Sequence, residues 1–290
     1  MVKKAVITAG GLGTRLLPAT KETPKEMLPL FTSDVDGEVY LKPVVQIVFE
    51  SLYQAGFRDF CFVVGRGKRA VEDHFTPDYQ FINLLESKGL KHQVEELNRF
   101  YRMVIDSRIL FVNQPEPKGF GDAVLRAESF VGSEAFLVHA GDDLILSNNG
   151  DHLRRLLEAF DRNNADIAFI VEKVEDPRRY GVIKAQSMKD GTLRIIDIIE
   201  KPKEPPSNLA VVAIYVFKPS IFEKLRKIQP DKKGEMQLTD AIKAAIDSGE
   251  RVFAIKLRRD EKRLDVGTPD SYWKALCKSY EWAFRKLKGE

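Results

Sequence analysis

Short apolar runs alternate with longer amphipathic stretches along the first half of the chain. The apolar runs predict strands at residues 3–8, 60–64, 109–112 and 135–140. The amphipathic stretches predict helices at residues 43–55, 69–75, 123–130 and 152–163. Because strands that alternate with helices are typical of crossover units, this half predicts an α/β fold with a three-layer, largely parallel sheet.

The second half of the chain has a different pattern. Strand-like runs follow one another at residues 167–172, 182–184, 193–200 and 209–217, with turns rather than helices between them. Such a succession predicts an antiparallel extension of the sheet. The remaining elements are predicted as a helix at 237–247, a strand at 252–256 and a long helix at 270–288.

The segment between Asp78 and Arg108 is charged and has helical character. We expect it to be a surface insertion, because its composition is too polar for a core element. The chain shows no internal repeat and no linker, which predicts a single domain over residues 1–290.

The composition of the chain argues against several classes of protein. A net charge of +3 over 290 residues gives no reason to expect a nucleic-acid partner. No apolar run reaches the roughly 18 residues of a membrane span, and the first residues lack the apolar region of a signal peptide. We therefore expect a cytoplasmic protein with no membrane partner. Cys61 and Cys277 predict neither a disulfide framework nor a zinc cluster.

A glycine-rich turn follows the first predicted strand. Residues 9–15 read AGGLGTR, and Lys25 lies ten residues beyond Arg15. Glycines let backbone N–H groups approach an anion closely, and the two cations would neutralise its charge. The third glycine of the dinucleotide fingerprint is absent, and no Gly-Lys-Ser/Thr of a Walker A loop follows. The turn therefore predicts a phosphate-binding loop of another kind.

Acidic residues occupy two positions that suit a metal ion. Asp142 follows the apolar run 135–140, at the strand end where such sheets bind ligands. A carboxylate beside a phosphate loop suits Mg²⁺, although Gly-Asp is also common in surface turns. Asp265 lies between apolar residues and is either a second metal ligand or a cap of the last helix.

Three further segments carry weaker signals. Gln114 offers the donor and acceptor that a pyrimidine edge requires, in a segment that also reads as a plain loop. Glu200 could accept hydrogen bonds from sugar hydroxyls and Lys201 could reach a phosphate, or the two form a surface ion pair. His139 lies within a predicted strand and is interpreted as a core group rather than a catalyst.

These motifs occur in one order in a known family. The chain resembles the UTP–glucose-1-phosphate uridylyltransferases of bacteria and archaea, a branch of the sugar nucleotidyltransferases. The resemblance covers nearly the whole length and rests on GLGTRLLPATK (11–21), PKEMLP (24–29), EDHF (72–75), Gln114 with KGFG (118–121), GDD (141–143), YGV (180–182), EKP (200–202), QLTDAI (237–242) and DVG (265–267). Residues 32–41 form a longer segment than is usual in the family.

The resemblance implies a Rossmann-like nucleotide-diphospho-sugar transferase fold and a role for individual residues. Residues about 1–150 would bind the nucleotide, about 151–268 the sugar, and about 269–290 would form the last helix. The implied nucleotide-binding residues are Ala9, Gly10, Gly11, Gly13, Thr14, Glu26, Gln114 and Gly119. Arg15 and Lys25 would hold the triphosphate, Asp142 and Asp265 the magnesium, Gly181 and Glu200 the glucose, and Lys201 its phosphate.

The implied reaction joins UTP and glucose 1-phosphate to give UDP-glucose and pyrophosphate, with Mg²⁺ as cofactor. Arg15, Lys25, Asp142 and Lys201 would be the catalytic residues. The alternative is a relative that uses dTTP or another sugar 1-phosphate on the same scaffold. The family also implies a homo-oligomer, and an apolar stripe on the last helix either docks on its own domain or forms a subunit contact. The stripe consists of Trp273, Leu276, Tyr280, Phe284 and Leu287.

Overall fold

The structure is a computed structural model that describes residues 2–33 and 38–288. The strands are β1 (Lys4–Ala9), β2 (Pro29–Ser33), β3 (Val39–Pro43), β4 (Asp59–Gly65), β5 (Arg108–Gln114), β6 (Phe136–Ala140), β7 (Asp143–Leu146), β8 (Ile167–Lys173), β9 (Gly181–Ser187), β10 (Leu193–Glu200), β11 (Leu209–Phe217), β12 (Val252–Lys256) and β13 (Lys262–Asp265). The helices are α1 (Val44–Gln54), α2 (Arg69–His74), α3 (Tyr79–Ser87), α4 (Lys91–Ile105), α5 (Phe120–Arg126), α6 (Glu128–Val131), α7 (Asp151–Arg162), α8 (Ser220–Lys227), α9 (Leu238–Asp247) and α10 (Pro269–Lys288).

Among the described residues, nine strands form one sheet in the order β5-β4-β1-β6-β11-β8-β12-β10-β9. The first four strands are parallel, as the alternating pattern predicts. Strand β11 then runs antiparallel to both β6 and β8, and β10 runs antiparallel to β12 and β9. The α/β fold and its antiparallel extension are confirmed, but the sheet is mixed rather than mostly parallel, because β11 enters beside β6 in the opposite direction.

Two groups of buried apolar side chains lie on opposite faces of the sheet. In β1, Ala5 and Ile7 belong to one group and Val6 to the other, since successive strand residues point to opposite faces. Helices α1, α4 and α7 contribute to the first group, and α5, α8 and α9 to the second. Cys61 is buried within the second group, as predicted for a strand residue.

Two short ribbons were not predicted from the sequence. Strands β2 and β3 pair antiparallel, and so do β7 and β13. The β7–β13 register places Asp265 opposite Asp143. Both ribbons are too short to show a periodic pattern, and helix α10 packs against β2 and β13. Helix α8 was also missed, and the predicted helix 123–130 is divided at Ala127 into α5 and α6.

The insertion after Asp78 forms α3 and α4, so its helical character is confirmed. Its description as a surface excursion is wrong in part, because Phe100, Tyr101 and Val104 are buried in the first apolar group. The segment is polar on average, but α4 is amphipathic and one of its faces packs into the core. The average composition of the segment does not reveal that apolar face. Residues 34–37 of the long predicted segment lie outside the described residues.

The apolar stripe of helix α10 is partly packed against its own domain and partly exposed to solvent. Leu276 packs against the first apolar group, whereas Trp273 is 67% exposed and Tyr280 47% exposed. Phe284 contacts Tyr280, and the side chain of Leu287 lies outside the described part of the chain. The face that is fully buried carries small residues, Ala275, Ser279 and Ala283. No helix within the described residues is long and apolar enough to cross a membrane.

Candidate active site

A cavity of about 570 Å³ opens at the carboxyl edge of β1 and β6. It gathers most of the residues that the sequence predicts for the nucleotide and the metal. The predicted residues that line it are Gly10, Gly11, Gly13, Thr14, Arg15, Lys25, Glu26, Gln114, Gly119, Asp142 and Asp265. Ala9 ends β1 with its side chain buried in the core, and Gly181, Glu200 and Lys201 lie outside this cavity.

The glycine loop is shaped by close approach and by one left-handed turn. A Cβ at Gly10 would overlap Oε1 of Gln114 and lie 3.3 Å from its Cδ. Gly13 has φ +65°, a conformation that glycine adopts at little cost, and its carbonyl accepts a hydrogen bond of 2.8 Å from Thr20. Arg15 follows in the next turn, exposed to solvent, and lines the cavity.

Gln114 ends β5 with its side chain fixed in the cavity wall. Its Nε2 donates to the carbonyl oxygen of Gly119 at 3.1 Å and to Oδ2 of Asp122 at 2.8 Å. Asp122 is buried and also accepts from Arg126 at 3.0 Å. Because these bonds use the Nε2 protons, Oε1 is the atom that faces Gly10.

Lys25 and Asp142 form an ion pair at the centre of the cavity, with each side chain less than one-fifth exposed. Burial disfavours the ammonium, but the Asp142, Glu26 and Asp265 carboxylates together raise the pKa of Lys25. Burial would also raise the pKa of Asp142, but the Lys25 ammonium outweighs it and lowers that pKa below its ordinary value. Both groups are therefore charged at neutral pH.

Glu26 lies beside this pair and has its own cation. Its side chain is 1% exposed, and Lys68 Nζ, on a side chain 6% exposed, donates to Oε2 at 2.6 Å. Burial raises the pKa of Glu26, and the Lys68 ammonium opposes that effect most strongly. Lys68 comes from the loop between β4 and α2, where its backbone N–H donates to the Gly65 carbonyl at 3.3 Å.

Asp265 reaches the cavity from the β7–β13 ribbon. Burial, and then the neighbouring Asp143 and Asp142 carboxylates, raise its pKa. Its Oδ1 accepts a hydrogen bond of 3.2 Å from the backbone N–H of Gly267, which stabilises the turn before α10, whereas the helix itself is capped by Thr268, whose Oγ1 accepts from the Ser271 N–H at 3.2 Å. Asp143 itself is turned away from the cavity and is bound by Arg263 at 2.7 Å.

The metal-ligand prediction therefore rests on two carboxylates, Asp142 and Asp265. Among the described residues, no group of three or more metal-binding side chains occurs. Mg²⁺ commonly takes one or two protein carboxylates and completes its shell with phosphate oxygens and water. The donor set fits such an ion, and the repulsion that raises the pKa of Asp265 is the kind that a cation relieves.

The predicted sugar residues form a second cluster at the ends of β9 and β10. Glu200 Oε1 is paired with Lys201 at 2.6 Å, and Glu200 Oε2 accepts a hydrogen bond of 2.6 Å from Thr239. A Cβ at Gly181 would lie 3.3 Å from Glu200 Oε2. Arg263 connects the two clusters, because its guanidinium lies 5.5 Å from the ring centroid of Tyr180 while it binds Asp143.

Three charged residues at or beside the cavity were not predicted from the sequence. Lys233 and Glu235 line the cavity from the loop before α9, and Lys68 lies behind it. The sequence feature that could have indicated Lys68 is its position shortly after Gly65, at the carboxyl end of a parallel strand. His139 is a core group, as interpreted: it is 2% exposed, its Nδ1 lies 2.8 Å from the Ala140 carbonyl, and burial lowers its pKa to about 4.

A family model for nucleotidyl transferases matches residues 4–281. The chain therefore belongs to the nucleotidyl transferase family. It is similar to the UTP–glucose-1-phosphate uridylyltransferase of Pseudomonas aeruginosa, with 35% identity and 99% of each chain covered. Among solved structures, it is similar to UDP-glucose pyrophosphorylase complexed with UDP-glucose (34% identity, TM-score 0.81, 97% of this chain and 99% of that one). UTP-bound UGPase from Acinetobacter baumannii is similar at 30% identity and TM-score 0.83, with 100% of this chain and 99% of that one covered. These matches confirm the resemblance that the motifs predict.

Proposed function

We propose that this protein transfers the uridylyl group of UTP to α-D-glucose 1-phosphate, giving UDP-glucose and pyrophosphate. The observation that carries the proposal is that one cavity brings together a glycine loop, a fixed glutamine and a Lys–Asp pair. The two relatives of known structure support the nucleotide and the product, since their titles name UTP and UDP-glucose.

The nucleotide half of the site suits the uridine and triphosphate of UTP. Gln114, Glu26 and the loop glycines surround the space for the nucleoside, while Arg15 and Lys25 supply positive charge to the phosphates. When bound, magnesium would be held by Asp142 and Asp265 and would neutralise phosphate charge. Lys25 then exchanges part of its contact with Asp142 for phosphate oxygens, which keeps its ammonium at the reacting centre.

An oxygen of glucose 1-phosphate attacks the α-phosphorus in line, and pyrophosphate leaves. No protein base is required, because a phosphate monoester with a second pKa of about 6 is largely dianionic at neutral pH. The residues act by bringing two anions together and by spreading the charge of the transition state. In this proposal Gly181 and Glu200 meet the glucose hydroxyls, and Lys201 leaves Glu200 to bind the attacking phosphate.

The proposal also covers the division of the chain into two halves, its location and its oligomeric state. We assign the nucleotide to the half of the chain near residues 1–150 and the sugar to residues about 151–268, with helices covering both faces of a Rossmann-like sheet. We further propose a cytoplasmic homo-oligomer in which α10 makes a subunit contact through Trp273, Tyr280 and Phe284, the exposed residues in the described part of its stripe. Light scattering of the full chain and of Trp273→Glu tests this contact, since the variant should have the lower mass.

The activity is tested by a matrix of four nucleoside triphosphates against several sugar 1-phosphates, with Mg²⁺ and detection of pyrophosphate. UTP with glucose 1-phosphate should be the best pair. Asp142→Asn is the inactive control, because loss of one such electrostatic contact typically slows turnover about 10²–10³-fold. Preference for a purine triphosphate would contradict the proposal, and preference for dTTP would assign the chain to a neighbouring branch of the family.

A further inference from the structure

The cavity contains more negative than positive charge around one lysine. Three carboxylates act on the Lys25 ammonium: Asp142 in direct contact, and Glu26 and Asp265 through the nearby field. A lysine that must bind a triphosphate cannot be fully neutralised by protein carboxylates, because each such carboxylate competes with the phosphate oxygens. The position of the Glu26 carboxylate relative to Lys25 therefore affects how strongly the nucleotide binds.

Lys68 holds the Glu26 carboxylate in place through an ion pair. It is one of the most deeply buried lysines that the structure describes, at 6% exposure, and its Nζ is 2.6 Å from Glu26 Oε2. It does not line the cavity, so it does not serve as a direct phosphate ligand.

The loop that carries Lys68 is tied to the phosphate-binding loop. A Cβ at Gly65 would lie 3.2 Å from the Gly10 carbonyl oxygen, so the two backbones are in close contact. The backbone of Lys68 is held at both ends of the loop, because its N–H donates to the Gly65 carbonyl at the end of β4 and its carbonyl accepts from the Val71 N–H in α2. The backbone that presents the Lys68 ammonium is thus built against the same glycine turn that surrounds the nucleotide.

On the basis of the proposed function, we propose that Lys68 is a positioning residue for UTP. By holding Glu26 in a buried ion pair at the cavity wall, Lys68 leaves Lys25 with one close carboxylate, Asp142, and free to meet the triphosphate. Removing the Lys68 charge would leave the ammonium of the adjacent residue Lys25 as the favourable charge that still acts on Glu26, and the triphosphate would then compete with two carboxylates.

The test is direct UTP binding by calorimetry, without sugar phosphate, for the wild type and for Lys68→Met. We expect the Kd for UTP to rise on the order of 10-fold, as for a coupled pair of charged residues, with little change in KM for glucose 1-phosphate. The matched control is Lys42→Met, which removes a half-buried lysine that is also ion-paired, 3.2 Å from Glu50 and outside the cavity. That variant should have a lower melting temperature and an unchanged Kd for UTP.

A second pair of variants separates positioning from general stability. If Lys68 acts through Glu26, adding Lys68→Met to Glu26→Gln should alter the Kd for UTP less than about twofold, because no buried carboxylate remains to be redirected. The double variant leaves no unpaired buried charge, so it should fold even if Lys68→Met alone does not, whereas Glu26→Gln alone leaves the Lys68 ammonium without its carboxylate. A thermal melt of each variant therefore accompanies its Kd.

Three results would overturn the inference: a Kd for Lys68→Met equal to that of the wild type, the same loss in the Glu26→Gln background, or an equal loss in Lys42→Met. Failure of the wild type to bind UTP would instead refute the proposed function.

Discussion

Substitution of Gly10 by alanine tests whether Gln114 is placed by close packing with the glycine loop. The added methyl group would overlap Oε1 of Gln114 and lie 3.3 Å from its Cδ, so one of the two must move. The backbone at Gly10 is the continuation of β1 and is held beside the Gly65 loop. The Gln114 side chain can rotate, whereas the Gly10 backbone is fixed by its neighbours. We therefore expect the Gln114 amide to leave the position that faces the nucleobase.

The size of the effect follows from the bonds that are lost. A displaced Gln114 amide gives up the one contact that its Oε1 can offer to a pyrimidine edge, worth about 0.5–1.5 kcal/mol net, so UTP binding should weaken roughly 2- to 13-fold. The same movement breaks the bonds of Nε2 to Gly119 and Asp122. Asp122 keeps its bond from Arg126, so the cost in folding free energy should be limited to about 1–3 kcal/mol.

Calorimetric titration with UTP, together with a thermal melt, measures both effects. Gln114→Ala is the comparison variant, because it removes the same contacts without a clash. Gly10→Ala and Gln114→Ala should weaken UTP binding by similar factors, and the double variant should be no worse than either. Normal UTP binding by Gly10→Ala, or losses that multiply in the double variant, would refute the steric reasoning.

Three further substitutions test other parts of the site and fold. Asp265→Asn should slow turnover about 10²–10³-fold without lowering the melting temperature, whereas a lower melting temperature with normal turnover would mean that Asp265 only caps the chain at Gly267. Lys201→Ala should raise the KM for glucose 1-phosphate about 10- to 150-fold and leave the Kd for UTP near that of the wild type; equal weakening of both ligands would place Lys201 on the triphosphate. Burial lowers the pKa of His74 to about 4, so the unfolded state binds its proton first as pH falls. The contribution of His74 to stability should therefore fall between pH 6.5 and about 4, by up to about 1.4 kcal/mol per pH unit, beside a similar contribution from His139. His74→Gln should show a shallower decline in denaturant titrations, and an unchanged slope would contradict a neutral buried histidine.

The nucleotide side of the site could be predicted because its residues follow strands that meet at one sheet edge. Gly10, Gln114 and Asp142 come directly after or at the ends of β1, β5 and β6, which are parallel and belong to one sheet. Their convergence follows from the direction of the strands, without any knowledge of side-chain contacts. The roles of these residues toward UTP remain predictions, whereas their shared position is a feature of the fold.

Other features depend on contacts that no local pattern contains. The pairing of Asp265 with Asp143 requires a ribbon between segments that are far apart in the sequence, and each strand of that ribbon is only four residues long. The Glu26–Lys68 pair joins residues 42 positions apart through two loops. The buried face of α4 has a similar cause, because Phe100 and Val104 become core only where α4 meets the rest of the domain.

Lys201 occupies a backbone conformation that local energetics do not favour. Its φ is +43°, in the left-handed region where a non-glycine residue typically costs on the order of 1 kcal/mol. Its ion pair with Glu200 does not offset that cost, because the Lys201 side chain is 58% exposed and exposed pairs contribute little. The backbone N–H is held by the Tyr180 carbonyl at 3.0 Å, which fixes the turn but would fix a glycine equally well. A lysine in this conformation therefore agrees with the proposal that the Lys201 ammonium binds an incoming sugar phosphate beside Glu200, because neither the backbone nor the ion pair accounts for a lysine there.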